Sequence, residues 1–421
     1  MKPITEAELR ELCMSSGADD VGFVPLEHGH IADQAEEIRQ LFPPTRTLIS
    51  LVLRMNREPI RATQRSVANL EFHSTGEEVN LVARRIVRAL EDRGIRALNP
   101  AMGFPMEMDR FPGKGWTVSH KPVAEAAGLG QMGLHRNLIH PRFGSFVLLA
   151  TVLIDQVVES TPPVLPESPC FSCKLCVAAC PVGAIEPDGY FNFGACYTHN
   201  YREFMGGFTQ WVEHIADSRS AHDYRQRVSD SESASMWQSL SFGANYKAAY
   251  CIAVCPAGSD VIGPYRQDQA GFLNDILRPL QRKSENIYVV PGSDAEAVVK
   301  KRFPTKSPRY VAGIRPANLQ SFLMGLRLVF QRGAARGLRA TYHFDFSGEQ
   351  SGRATVVIDQ GKLTVQDGLH GVADLVVRGQ GSAWVAFLRK ELSLFRALVT
   401  GKLRLRGKLS LLPAFGRCFP S

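Results

Sequence analysis

The chain has no apolar run approaching the roughly 20 residues needed to cross a bilayer, which sets aside an integral helical membrane protein. Its first residues, MKPITEAELRELC, are acidic and amphipathic. They hold no apolar signal core and no twin-arginine pair, so a cytoplasmic location is expected. Acidic residues thin out toward the C-terminus: from Lys300 onward, 21 Lys and Arg face six Asp and Glu. That excess of 15 leaves residues 1–299 with a net of −7 out of the chain's +8. Such a break in charge points to a separate C-terminal module that attracts anions: lipid headgroups, acyl-CoA phosphates or nucleic acid. At 421 residues and 44% hydrophobic, the chain has the size of two or three soluble domains.

Cysteine is scarce outside one stretch: of nine, only Cys13 and Cys418 lie beyond residues 170–255. Those two read as plain thiols. The other seven form a pattern. Cys170-x-x-Cys173-x-x-Cys176-x-x-x-Cys180-Pro181 has the spacing of the bacterial ferredoxin run, and Cys251-x-x-x-Cys255-Pro256 repeats its tail. Soft thiolates suit the irons of a [4Fe–4S] cube, and the Cys-Pro member ligates the other cluster. The expected ligation is therefore crossed. Cys170, Cys173, Cys176 and Cys255 hold one cluster, and Cys180, Cys196 and Cys251 supply the second. Zinc sites come as separated cysteine pairs, which this run does not resemble, and a reducing compartment disfavours disulfides. One thiol is missing. A full second run would begin at position 248, which is Ala248. The eighth ligand place is open to His199, His214, Asp217 or Cys13, or stays empty and leaves a [3Fe–4S] cluster.

The capping box Thr5-x-x-Glu8 predicts a helix that Gly17 ends. Asp20–Pro25, Thr47–Leu53 and Ser145–Ile154 read as buried strands. Thr75-x-x-Glu78 predicts the start of a helix running to Gly94, with Val79, Val82, Ala83, Ile86, Val87 and Leu90 on its apolar face. Alternation of strands and helices through residue 160 points to a layered α/β or α+β domain. TPPVLPESP at Thr161–Pro169 reads as a linker, 197–249 as a helical insertion, and Pro304–Pro316 as a second boundary. Further on, a helix is expected from about Leu319, strands at Thr341–Phe346, Ala354–Ile358 and Ala373–Val377, and one helix over Trp384–Val399.

Pro122–Asp155 (PVAEAAGLGQMGLHRNLIHPRFGSFVLLATVLID), with GADDVGFVPL near Gly17 and the cysteine run, resembles the epoxyqueuosine reductase and reductive dehalogenase families over roughly residues 1–265. The resemblance implies an α+β fold: a nitroreductase-like, corrinoid-binding-type core at 1–160 and a ferredoxin-like domain with two [4Fe–4S] clusters at 161–265. A connecting segment follows at 266–316. It implies cobalamin as a further cofactor, with Gly128, Gly130, Gly133, Gly144 and Ser145 along the corrinoid side, where glycines would let backbone approach a flat ring. The position of the epoxyqueuosine reductases' catalytic Asp falls on Ser119, and a hydroxyl cannot replace a carboxylic acid as proton donor. Lys121 and His120 beside it are the candidates for proton delivery.

Residues 317–421 resemble the sterol carrier protein family through Tyr342-x-Phe344, Gly361-Lys362, Gly368, Ala373-Asp374, Trp384 and Gly401-Lys402-Leu403-x-x-x-Gly407. This implies a five-stranded sheet covered by helices, with an apolar tunnel for lipid or acyl-CoA. Together the resemblances imply an iron–sulfur oxidoreductase acting on a hydrophobic or lipid-like substrate. The alternative is a non-corrinoid electron-transfer or lipid-binding redox protein that serves a partner enzyme. The expected partners are a low-potential electron donor of ferredoxin or flavodoxin type, a hydrophobic small molecule and a peripheral membrane surface. Nucleic acid is not expected.

Overall fold

The computed structural model describes residues 4–160, 165 and 168–420. Most of the expected linker at 161–169 lies outside the described residues. The N-terminal part is built on an antiparallel sheet in the order Asp20–Pro25, Thr47–Arg54, Val147–Ile154, Ala97–Leu98. The central strand Val147–Ile154 is buried along its whole length, because helices cover both faces. The helix Arg65–Glu91 packs on one face against Ile49, Leu51, Ala150 and Val152. The short helix His120–Ala126 packs on the other, against Leu48, Val52, Leu149 and Leu153. Residues of alternating parity thus feed two cores, as a period of two requires. Val79, Val82, Ile86 and Leu90 are fully buried on the long helix, each contributing about 1.5–3 kcal/mol of burial.

That helix begins ten residues before the expected start. Thr75 is no cap: it lies buried inside the helix, with its hydroxyl on Glu71 Oε1. The next residue is Gly76, where a Cβ would come within 2.7 Å of Met102. Glycine there lets the loop around Met102 lie against the helix. The first capping box does form, with both reciprocal bonds at Thr5 and Glu8.

The cysteine-bearing segment follows. Its helices Leu175–Ala179 and Tyr250–Ala253 pack together and against the N-terminal core through Leu175, Ala179, Tyr250 and Ala253. The stretch between them is helical, as expected, at Gly206–Ala216, Ala221–Arg227 and Asp230–Phe242. The Pro-rich boundary holds a strand, Lys306–Tyr310, paired in parallel with Glu285–Val289.

The C-terminal sheet has five strands, ordered Lys362–Asp367, Gly352–Asp359, Arg339–Ser347, Leu375–Gln380, Leu403–Gly407. All its pairings are antiparallel except that of Arg339–Ser347 with Leu375–Gln380. The expected single helix over Trp384–Val399 is two, Gly381–Leu388 and Leu394–Val399, with Lys390 between them at a left-handed φ of 64°. Phe322, Phe344, Phe346, Trp384 and Phe415 fill the space under the sheet, with neighbouring ring centroids 5.4–5.9 Å apart. The domain docks on the cysteine segment: Arg332 bridges Glu186 and Asp188, and Tyr190 donates to the Phe330 carbonyl.

Candidate functional site

The two short cysteine helices are copies of one turn. Lys174 precedes the first at φ 60°, ψ 16°, and Ala249 precedes the second at φ 55°, ψ 22°. Both are non-glycine residues in the left-handed region, which is costly unless the surroundings impose it. The repeat equates Cys176 with Cys251 and Cys173 with Ala248. The second turn has therefore kept the shape of a thiolate-presenting loop after losing its first thiol.

Seven thiols gather into two neighbouring sets. Cys255 lies close enough to Cys170 and Cys173 for their charges to act on it. Cys180, Cys196 and Cys251 act on one another. Cys176 stands between the two sets: Cys251 acts on it most, then Cys255 and Cys173. Backbone N–H groups point at the sulfurs, among them Ala184 N–H to Cys180 Sγ at 3.2 Å. Burial pushes the thiol of Cys196 up to about 12 and that of Cys255 up to about 11. The unligated thiols are therefore protonated at neutral pH, and a metal must displace those protons to bind.

Among the described residues, no three His, Cys, Asp or Glu side chains converge on a single ion. Four thiolates around one zinc stand about 3.8 Å apart, given a Zn–S bond of about 2.3 Å; around an iron–sulfur cube they stand farther apart. A donor set made of cysteine sulfurs, met by backbone N–H groups, has the chemistry that suits iron–sulfur ligation.

Lys121 stands beside the second set, where the charges of Cys251 and Cys196 act on its ammonium. Its side chain is exposed to solvent. It donates to Arg136 O and Asn137 Oδ1, both at 2.8 Å. Burial lowers its pKa, and the neighbouring cysteines oppose that. His120 is placed differently. It is buried, with Nδ1 2.8 Å from Thr151 Oγ1 and Nε2 3.0 Å from Ala101 O, and burial lowers its pKa. Both nitrogens serve the packing. Ser119 is pinned by Gln34, whose side chain accepts from its N–H and donates to its carbonyl.

The glycines expected along a corrinoid face are used by the chain itself. Gly128, at φ 75°, closes the helix His120–Ala126, and the next amide, Leu129 N–H, bonds Ala124 O. A Cβ at Gly130 would lie 2.5 Å from Ile139 O, and one at Gly133 2.6 Å from the Ile139 side chain. At Gly144 a Cβ would lie 2.0 Å from Ala257 O. The loop after Cys255 thus lies directly on Gly144, and Ser259 and Asp260 donate to the carbonyls of Pro141 and Arg142. Ser145 donates to the Ile252 carbonyl at 3.3 Å and hydrogen-bonds Cys255. These five positions close turns and seat the cysteine loops on the core.

Two side chains by the thiols carry no sequence signal. Tyr201 is half-buried beside Cys196 and Cys251, one residue beyond the helix Phe193–Asn200 that carries Cys196. It is held ring-to-ring by Phe204 and Tyr246, and burial raises its pKa well above the usual phenol value. Arg61 lies within charge reach of Cys255, with its Nε and Nη2 buried and unpartnered. Its guanidinium covers Phe146 and Phe272 at 5.3 and 5.5 Å. Neither residue sits at a motif spacing, so only the folded chain brings them to the thiols.

Residues 328–419 match the SCP-2 sterol transfer family. The chain is 30% identical over 166 residues to the epoxyqueuosine reductase of Synechococcus sp. (strain CC9605), covering 38% of this chain and 49% of that protein. It is 30% identical over 186 residues to that of Salmonella typhimurium, covering 43% and 46%. The chain thus spans about half the length of these relatives. A crystal structure of epoxyqueuosine reductase with an epoxyqueuosine-modified tRNA stem loop is similar at a TM-score of 0.33 and 21% identity, over 46% of this chain and 56% of that one. A catabolic reductive dehalogenase is similar at 0.34 and 16%, over 42% and 25%. The resemblance of the N-terminal part to epoxyqueuosine reductases and of the C-terminal part to SCP-2 domains therefore holds. One expectation is corrected: nucleic acid cannot be set aside as a partner, because a solved relative was captured with a tRNA stem loop. Among the described residues no helix is long and apolar enough to cross a membrane.

Proposed function

We propose that this chain is a two-cluster iron–sulfur reductase. In this reading Cys170, Cys173, Cys176 and Cys255 would hold one cluster and Cys180, Cys196 and Cys251 the other, and the pair would supply one-electron chemistry to a substrate bound at Lys121. The observation that supports it is the gathering of the seven thiols, Cys170, Cys173 and Cys255 on one side of Cys176 and Cys180, Cys196 and Cys251 on the other, with Lys121 and Tyr201 within charge reach of Cys196 and Cys251. An ammonium and a neutral phenol near the same two cysteines suit cleavage of a bond from carbon to an electronegative atom, because a cation and an O–H donor can meet the charge that develops on the departing atom. The balance is R–X + 2e⁻ + 2H⁺ → R–H + HX, with the electrons from a low-potential one-electron donor. The epoxyqueuosine reductases and reductive dehalogenases that the chain resembles are reductases by name, which supports the reaction class. A lipid-like substrate has no support: the C-terminal core is filled by its own aromatic rings. A corrinoid would supply a strongly reducing nucleophilic centre, and no step here is routed through it.

The test is anaerobic reconstitution with iron and sulfide, followed by reduction with dithionite and reaction with an epoxide and an aryl halide. About eight irons per chain and turnover that falls at least about tenfold in Lys121→Met are expected. A wild-type protein holding about four irons would refute the two-cluster reading.

A further inference from the structure

The missing eighth thiol has a structural outcome. Ala248 is buried at the place equivalent to Cys173, in a turn that still adopts the left-handed ligand-presenting conformation at Ala249. Its amide donates to Asn200 Oδ1 at 2.9 Å, and its carbonyl accepts from Arg65 Nη1 at 2.7 Å. The backbone is held as if a side chain there still ligated iron, and a methyl group cannot.

The side chains that might replace the thiol are not set to ligate, although Nε2 of His199 and of His135 are buried without a hydrogen-bond partner. His199 Nδ1 accepts the Tyr288 N–H at 3.3 Å, and buried His135 Nδ1 accepts the Asn137 N–H at 3.1 Å. In each neutral ring the proton then sits on Nε2, which leaves that nitrogen no lone pair for a metal. His214 lies in the insertion among Arg202, Glu232 and Arg227. Asp217 is exposed at the end of the same helix, lining a surface recess with Arg219 and Asp223. Cys13 is sealed into the helix Glu6–Ser15, which packs on Asp20–Pro25 and Arg65–Glu91. Lys121 and Tyr201 lie within charge reach of Cys196 and Cys251, His135 lies within charge reach of Lys121, and Tyr201 adjoins Asn200, the residue that holds Ala248.

We infer that the second cluster would be held by three thiolates only, Cys180, Cys196 and Cys251, because Ala248 supplies none, and that the iron left without a thiolate would be open to a small anion or oxygen donor. This deepens the proposed reductase reading and rests on it: the iron would take the electronegative atom of the substrate, or the anion that leaves. Lys121 favours an anionic ligand over a neutral one, and Tyr201 offers an O–H donor.

The probe is cyanide, with ferricyanide as the oxidant in a separate sample. An iron without a thiolate is lost on oxidation: [4Fe–4S]²⁺ gives [3Fe–4S]⁺, Fe²⁺ and one electron, which ferricyanide accepts. In reconstituted wild-type protein, cyanide should change the EPR signal of one reduced cluster and leave the other alone. Ferricyanide should release one iron per chain and produce a three-iron EPR signal. Ala248→Cys should abolish both responses, and Lys121→Met should weaken cyanide binding about fivefold or more, the worth of one nearby charge in water. Two intact wild-type clusters that ignore cyanide and keep all their iron in ferricyanide would overturn the inference, even were Ala248→Cys to misfold. Fewer than two clusters in the wild type would instead strike the reading beneath it.

Discussion

Replacing Gly144 by alanine separates two accounts of the glycine-rich segment. In the first, the glycines leave room for a ring-shaped cofactor; in the second, Gly144 admits the loop that carries Cys255. Gly144 has a φ of +66°, and a Cβ would meet Ala257 O at 2.0 Å and the Val261 side chain at 3.4 Å. The left-handed conformation costs an L-residue about 1–2 kcal/mol. Relieving the overlap means moving backbone, because the obstructing atom is a carbonyl oxygen, and overpacking of this kind costs about 1–3 kcal/mol. The sum, about 2–5 kcal/mol, is a large share of the about 5–15 kcal/mol that holds a domain folded. It falls on the turn two residues after Cys255. Gly144→Ala should therefore lower the melting temperature of the metal-free protein by on the order of 5–15 °C. After reconstitution it should also lose iron from the first cluster before the second. Thermal unfolding followed by circular dichroism, with iron counts on the same samples, provides the assay. An unchanged melting temperature and full iron, with loss of only a retained corrinoid, would refute the packing account.

Arg61→Leu removes a buried cation from beside Cys255, so the first cluster should become harder to reduce. An EPR-monitored redox titration should move that cluster alone to more negative potential, and an unmoved potential would mean that the guanidinium does not face it. A pH dependence follows from the thiols. Cys196 and Cys255 are raised in the folded metal-free state to about 12 and about 11 from an ordinary 9.0. The folded state holds their protons more tightly, so this contribution is fully present below about pH 9 and fades as pH rises through 11 to 12. The metal-free protein should lose melting temperature above about pH 9 while the reconstituted protein, its thiols already ionised, loses less. Equal slopes would contradict ligation by these cysteines.

What the sequence told and what it withheld divide along physical lines. The strands at Asp20, Thr47 and Val147 were legible because continuous β-branched and leucine runs leave few alternatives. The two cysteine runs stand out because cluster ligation fixes spacing in the chain itself. The start of the long helix was not. Thr75-x-x-Glu78 has the letters of a capping box, but residues 65–74 already extend the helix, and a helical threonine turns its hydroxyl to its own helix instead. The break at Lys390 lay hidden because the apolar stripe from Trp384 to Val399 runs in register across it. The roles assigned to Gly130, Gly133 and Gly144 depended on what lies opposite each glycine, and opposite each lies the chain's own backbone or side chains. Tyr201 and Arg61 reach the thiols through the fold alone. Arg61 comes from residues more than 100 positions before the nearest cluster cysteine, a distance that no motif spans.

The measurement that bears most directly on the account is iron content and reduced-state EPR of Cys176→Ala and Cys180→Ala beside the wild type, all reconstituted without oxygen. The account predicts two signals in the wild type. It predicts loss of one in Cys176→Ala and of the other in Cys180→Ala, with about half the iron gone each time, although the two residues lie four apart on one short helix turn. Loss of the same signal in both variants would contradict the crossed, two-cluster arrangement.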